Sequence, residues 1–205
     1  MDKQLFKTKI EDFWEWFVVH EEKFRIIRDP NVVREMLNNQ VLQFGVFSWE
    51  IGKGRSKPHT FTISPNGNPK MLRRSEAIMG EAPDLSHWEF YPAKPPQDWD
   101  FTFEMFDSFM VKRKIDAFEW KYLLRMTPDM KLRILLYAEN IDFLDEDDKK
   151  VAAALVINNI IGEMDKIYYV DSVQFIDFVE EPMEQDIQSL TALKSEFDEI
   201  VNTLL

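Results

Sequence analysis

Apolar residues near the start of the chain recur at the spacing of an amphipathic helix. Ile10, Phe13 and Phe17 lie three and four positions apart, and Trp14 falls on the same stripe. Trp16 lies off that stripe, so a helix would direct it away from the line of buried residues. The pattern predicts one helix whose aromatic face packs into a core.

Residues typical of helix N-termini mark two starts. Thr8 and Glu11 have capping-box spacing, which predicts that the first helix begins near Thr8. Asp29 precedes Pro30, and an acidic cap followed by proline at the first helical position predicts the start of a second helix.

The remaining pattern alternates between strand-like runs and helical periods. The first half is predicted to contain strands at 44–51, 59–64 and 88–92, with a helix between the second and third that starts after Asn68 and ends at Gly80. The second half is predicted to contain strands at 101–106, 118–126, 131–138 and 168–179, a helix at 145–164 and a last helix at 184–204.

The two halves share an order of elements and two short landmarks. Each predicted helix in the middle of a half ends at Gly-Glu, at residues 80–81 and 162–163, and a strand with an aromatic pair follows, at residues 90–91 and 168–169. We therefore predict an internal repeat of strand-strand-helix-strand units, about 1–97 and 98–205, within a single compact domain spanning 1–205. The expected class is α+β, with antiparallel sheets, helices packed on one face and ferredoxin-like units.

Composition narrows the classes of function. The formal net charge of -12 repels phosphate backbones, so no nucleic-acid partner is expected, and the short basic clusters at 53–57 and 112–114 are interpreted as a solvated turn and a solvated strand end. The absence of cysteine excludes thiol chemistry, disulfides and cysteine-ligated metals. The apolar stretch 152–157 is far shorter than the ~20 residues of a membrane span. No membrane partner is expected, and the start of the chain lacks a signal-peptide pattern, so we expect a cytoplasmic protein.

Candidate functional residues are few. His59 and His87 would meet if their strands are neighbours, as a metal-binding or acid–base pair or, more simply, as surface residues. Trp16 is either an aromatic packed at the flank of the core or part of an aromatic wall for a ligand or partner. The sequence contains no recognised motif for a catalytic nucleophile, a nucleotide or a metal, so no catalytic residues and no cofactor are predicted. The acidic run 142–148 lacks the spacing of a calcium loop, and helix capping explains residues 145–148 of it.

Four segments carry a family resemblance. They are the aromatic opening at residues 13–17 (F-W-E-W-F), the turn at 63–67 (I-S-P-N-G), the stretch at 82–90 (A-P-D-L-S-H-W-E-F) and Ile161-Gly162-Glu163 late in the chain. In these the chain resembles a group of uncharacterised bacterial proteins without an assigned reaction. In the order of strands and helices it is also similar to small acidic regulators that bind and inhibit ribonuclease E, which implies a protein-binding role.

Three hypotheses follow for function. The first is a non-enzymatic interaction or regulatory protein, whose acidic surface would steer a basic protein partner. The second is a hydrolase-like enzyme whose site is assembled from dispersed histidines and carboxylates. The third is a structural subunit that assembles through a sheet edge or the last helix. We favour the first because catalytic motifs are missing.

Overall fold

The computed structural model describes residues 3–176 and 186–204. The chain has α+β structure and divides into two compact units, Met1–Lys94 and Pro95–Leu205. The division falls beside the two prolines at 95 and 96. Whether the units form a single domain and derive from a repeat stays a prediction.

The first unit is a three-stranded sheet with three helices. Its elements are α1 (Lys3–Arg25), α2 (Pro30–Val41), a 3-10 turn (Leu42–Phe44), β1 (Ser48–Lys53), β2 (His59–Ser64), α3 (Pro69–Gly80) and β3 (Trp88–Tyr91). The strand order is β1-β2-β3, with β1 antiparallel and β3 parallel to β2. Asp29 and Asn68 cap α2 and α3 through their side chains, as predicted from the sequence.

Aromatic packing between α1 and the sheet forms the core of the first unit. Phe17 is fully buried, and its ring centroid lies 5.3 Å from that of Phe61 on β2 and 5.2 Å from that of Trp88 on β3. Both buried indoles use their N–H group: Trp14 donates to the Ile78 carbonyl at 2.8 Å and Trp88 to Glu21 at 3.0 Å. The stripe read from the sequence is thus the core-facing side of α1.

The second unit contains a two-stranded and a four-stranded sheet. Its elements are β4 (Thr102–Phe106), β5 (Lys112–Asp116), β6 (Lys121–Met126), β7 (Leu132–Tyr137), α4 (Glu146–Ile161), α5 (Glu163–Tyr169), β8 (Val170–Phe175), β9 (Gln188–Ser189), a 3-10 turn (Leu190–Ala192) and α6 (Leu193–Leu204). β4 and β5 form an antiparallel hairpin, and the larger sheet has the order β8-β7-β6-β9. Apolar residues of α4 and α6 join this sheet in one buried cluster.

Both units contain an antiparallel hairpin followed by a helical crossover to a parallel strand. In the first unit α3 leads from β2 to β3, and in the second α4 and α5 lead from β7 to β8. The prediction of antiparallel sheets is therefore incomplete, because two of the three sheets in the described part of the chain are mixed. A crossover that contains a helix is long enough to return the chain in the same direction, whereas a tight turn is not.

Two further expectations need correction. The first helix extends back to Lys3, so Thr8 lies inside it and does not act as its cap. Tyr168 and Tyr169 were expected in a strand but end α5, because Gly162, at φ 86°, ends α4 and its carbonyl then accepts from the N–H of Lys166 in a new helical turn. The predicted end of that strand at 179 and the predicted start of the last helix at 184 lie outside the described residues.

The aromatic core of the first unit can be tested through Phe17. We expect Phe17→Ala to destabilise the protein by about 3–5 kcal/mol, because it removes a fully buried ring and leaves a cavity. Urea unfolding followed by tryptophan fluorescence measures the loss. Val19→Ala on the same helix is the control, since Val19 is 78% exposed and its truncation should change stability little. Equal effects of the two substitutions would contradict this packing.

Candidate functional site

Trp16 packs at the edge of the core of the first unit. Its indole is half-buried, with its ring centroid 6.0 Å from that of Phe13, 5.4 Å from that of Phe24 and 5.0 Å from that of His20. The ring of His20 donates through Nδ1 to the Trp16 carbonyl at 2.8 Å. These contacts match the simpler interpretation of Trp16, an aromatic at the flank of the core.

His59 and His87 are brought together through their backbones. The N–H of His59 at the start of β2 donates to the carbonyl of His87 at 3.0 Å, immediately before β3. Their side chains have different surroundings: the His59 ring lies 5.3 Å from the ring of Trp88, whereas His87 is exposed and its Nδ1 is 3.0 Å from the Ser86 hydroxyl. The neighbouring strands thus exist, but the histidines that they carry have separate contacts.

Beside these histidines, Glu89 on β3 anchors the loop between β1 and β2. One carboxylate oxygen accepts the backbone N–H groups of Ser56 and Lys57 and, at 2.9 Å, the Ser56 hydroxyl; the other accepts the Tyr91 hydroxyl at 2.6 Å. Hydrogen bonds from Tyr91, from the Lys57 backbone and from Ser56 lower the pKa of Glu89 from its ordinary 4.5 to about 2, although burial acts in the opposite sense. Glu89 is therefore ionised at neutral pH and holds the loop.

A cavity of about 400 Å³ lies where the end of α1 meets the start of α2. Ile26, Val32, Val33 and Met36 supply its apolar wall, and charged side chains that include Glu22 and Lys23 border it. Neither His59 nor His87 is among its lining residues.

The hairpin of β4 and β5 ends in a turn built around one carboxylate. Buried Asp107 accepts the N–H groups of Phe109 at 3.0 Å and Val111 at 2.8 Å, and the guanidinium Nε of Arg113 at 2.7 Å. Burial opposes ionisation of Asp107, but these hydrogen bonds and the charge of Arg113 together lower its pKa below the usual range. The turn is therefore fixed by a carboxylate that is ionised at neutral pH.

The same turn is bound to the N-terminus of α4. Ser108 donates its backbone N–H to Asp148 at 3.0 Å and its hydroxyl to Asp145 at 2.8 Å. Asp145 also caps α4 by accepting the N–H groups of Asp147 and Asp148. The guanidinium of Arg113 lies 5.4 Å from the centre of the Phe143 ring, just before the helix. The turn and the helix start therefore form one connected surface.

Residues 106–111, here named the Phe109 tip, place apolar side chains in solvent. Phe109 is 82% exposed and Met110 is 76% exposed, and Phe106 and Val111 beside them are also exposed. Phe143 across the contact with Arg113 is exposed as well. Adjacent large apolar side chains on a fixed turn are typical of an interaction surface.

The hairpin of β6 and β7 has the same turn geometry. In the first turn the N–H of Asp107 donates to Val111 and that of Met110 to Asp107; in the second, the N–H of Thr127 donates to Lys131 and that of Met130 to Thr127. Met110 and Met130 have φ values of 60° and 58°, in the left-handed region that glycine and asparagine favour.

The sequence pattern did not single out Phe109 or Met110. The signal that could have found them is the run Phe109-Met110-Val111 at the point where a hairpin must turn, because turn residues are normally polar or glycine. The sequence predicted the strand 101–106. It did not predict the partner strand β5, because residues 112–114 were interpreted only as a solvated strand end.

Ionisable side chains also meet between β6, α5 and α6. The Tyr122 hydroxyl donates to Glu196, and burial together with this carboxylate raises the pKa of Tyr122. Burial raises the pKa of Asp165 and lowers that of Lys166 on α5. Among residues 3–176 and 186–204, no three histidine or acidic side chains are grouped in a way that could hold a metal ion. No helix in that part of the chain is both long and apolar enough to cross a bilayer.

Comparison with protein-family models, with curated proteins and with solved structures found no match to this chain. The resemblance to the bacterial group with the aromatic opening, and the likeness to ribonuclease E regulators, therefore stay predictions.

The anchor at Glu89 predicts a pH dependence of stability. A carboxylate whose pKa is lowered by folding stabilises the protein above its unfolded value of 4.5, and this contribution is lost as the pH falls towards about 2. We expect Glu89→Gln to remove that part of the acid sensitivity, measured as the difference in urea midpoint between the variant and the native protein from pH 6 to pH 2.5. A difference that stays constant over this range would contradict the lowered pKa.

Proposed function

We propose that the protein is a non-enzymatic, cytoplasmic interaction or regulatory protein that binds a protein partner through the Phe109 tip. The observation that carries the proposal is the exposure of Phe109 and Met110 on a turn that Asp107 and Ser108 hold in place. The backbone of a turn that is already fixed loses little conformational freedom on binding, so more of the apolar burial contributes to affinity.

Electrostatics supports a protein partner over a nucleic acid. The net charge of -12 would repel a phosphate backbone, whereas it would accelerate encounters with a basic protein surface. The resemblance to acidic regulators that bind ribonuclease E agrees with such a role.

The enzyme hypothesis has one observation in its favour, the backbone contact between His59 and His87. Catalysis by this pair would need their side chains to converge on a substrate, and the contacts of the two rings lead to Trp88 and to Ser86 instead. We therefore rank it second. Assembly of the chain through a sheet edge or its last helix is compatible with the interaction role and would be visible by light scattering.

We infer that the two units are variants of one strand-strand-helix-strand plan related to the ferredoxin-like fold. Support comes from the shared order of a hairpin followed by a helical crossover. In both units the two parallel strands are direct neighbours, whereas a split β-α-β unit holds them apart. The order of strands therefore does not support the relation, and the connections between the elements do.

The interaction role can be tested by removing the exposed ring. We expect Phe109→Ser to abolish capture of a partner that the native protein retains from a lysate of its source cells, because the central apolar contact is lost. Affinity capture with quantitative mass spectrometry measures the difference, and a loss of at least about tenfold corresponds to ~1.4 kcal/mol of binding energy.

Val46→Ser is the matched control, since Val46 is 80% exposed and belongs to the other unit. It should leave capture unchanged. If Phe109→Ser and Val46→Ser retain the same proteins as the native chain, the tip is not the interaction surface.

A further inference from the structure

We infer that the Phe109 tip receives a polypeptide segment carrying both apolar side chains and lysine or arginine, and that Met110 keeps a strained backbone conformation for the sake of this contact. The inference rests on the proposed function and names the chemical class of its partner. The conformation of Met110 supports the inference, and so does the balance of charge around the tip.

The backbone of Met110 is unfavourable for its side chain. Its φ of 60° lies in the left-handed region, where the Cβ of an ordinary residue crowds the following carbonyl. The turn requires this conformation, because the N–H of Met110 donates to the Asp107 carbonyl at 2.8 Å and the pattern closes with the bond from Asp107 to Val111. Glycine or asparagine would satisfy the same turn with less strain.

The folded unit gains little from the methionine side chain. Met110 is 76% exposed, so its thioether contributes little buried area to offset the cost of its backbone. Met130 has a similar φ and is 58% exposed, so strain alone does not distinguish Met110; the exposed Phe109 beside Met110, where Asp129 stands beside Met130, points to a role outside folding. Methionine is flexible and polarisable, and such side chains adapt to apolar surfaces of different shape.

The charges around the tip favour a basic segment. Between residues 142 and 150, where α4 begins beside the tip, five carboxylates outnumber two lysines. Glu146 and Asp147 pair with Lys149 and Lys150, which leaves the exposed Asp142 and Asp145 and the buried Asp148 without a salt bridge among the described residues. The segment therefore has an excess of negative charge, and apolar side chains beside it match a partner segment that alternates apolar and basic residues.

Cations on the hairpin itself do not reverse this balance. Lys112 pairs with Glu104 at 2.6 Å and Arg113 with Asp107 at 2.7 Å. Lys114 lies close enough to Asp100 to lower the pKa of that carboxyl, after the stronger hydrogen bonds from Thr102. Each cation of the hairpin thus already has an acidic neighbour. The net charge of -12 would also repel an anionic membrane.

The experiment uses a synthetic amphipathic peptide of leucine and lysine, and the same peptide with glutamate in place of lysine. The full-length protein is labelled with ¹³C in its methionine methyl groups, and the Met110 signal is assigned by its absence in Met110→Asn. We expect the lysine peptide to shift that signal saturably and the glutamate peptide to leave it unmoved. We expect Met110→Asn to weaken binding of the lysine peptide at least about fivefold.

Met130→Asn is the matched control, because Met130 occupies the same position of the same type of turn in the other hairpin. Both substitutions relieve a left-handed methionine, so neither should lower the urea midpoint, but only Met110→Asn should weaken the peptide. A lower midpoint for Met110→Asn alone would show that Met110 serves folding and would overturn the inference.

Four other results would overturn the inference. They are equal binding of the glutamate peptide, equal weakening by Met130→Asn, self-association that shifts the Met110 signal without any peptide, and a shift produced by anionic vesicles but not by the lysine peptide. If Phe109→Ser abolishes partner capture while the lysine peptide does not bind, the proposed function stands and only the basic, apolar class of partner is wrong.

Discussion

Each unit depends on a central strand that is hydrogen-bonded on both sides. β2 pairs with β1 and β3, and β7 pairs with β6 and β8, so the backbone groups of the central strand are satisfied by two neighbours. The side chains of β2 are buried along almost its whole length, and those of β7 are buried at alternate positions, so each strand needs apolar cover. The aromatic stripe of α1 in the first unit and the apolar residues of α4 in the second meet this requirement. The helices are therefore fixed by the sheets that they cover.

Carboxylates position the loops that the cores leave free. Glu89 binds the loop before β2, and Asp107 binds the turn between β4 and β5, in both cases by accepting backbone N–H groups. An ionised carboxylate is a stronger acceptor than a neutral group, and its lowered pKa reflects these bonds. The consequence differs between the two sites, because the first loop is tied down beside a sheet whereas the second carries Phe109 and Met110 into solvent.

Local signals explain which elements could be predicted. The caps at Asp29, Asn68 and Asp145 are short-range interactions, and the structure confirms all three. The capping box at Thr8 was wrong because a good match at one position does not prevent a helix from starting earlier. The aromatic pair at 168–169 was assigned to a strand, since aromatic residues favour strands, but the turn at Gly162 allowed a second helix.

The sequence by itself determined the α+β class, the aromatic core face of α1, the helix caps and the absence of thiol chemistry. Periodicity and capping depend on residues that are close together in the chain, and composition does not depend on position at all. Tertiary structure alone decided that β3 and β8 run parallel to the central strands, that His59 and His87 share a backbone hydrogen bond, and that Ser108 reaches Asp145. These contacts join residues 28 to 39 positions apart, and their partners are selected by packing rather than by neighbouring residues. The exposed Phe109 tip belongs to the same category, since only the folded hairpin shows that its apolar residues remain in solvent.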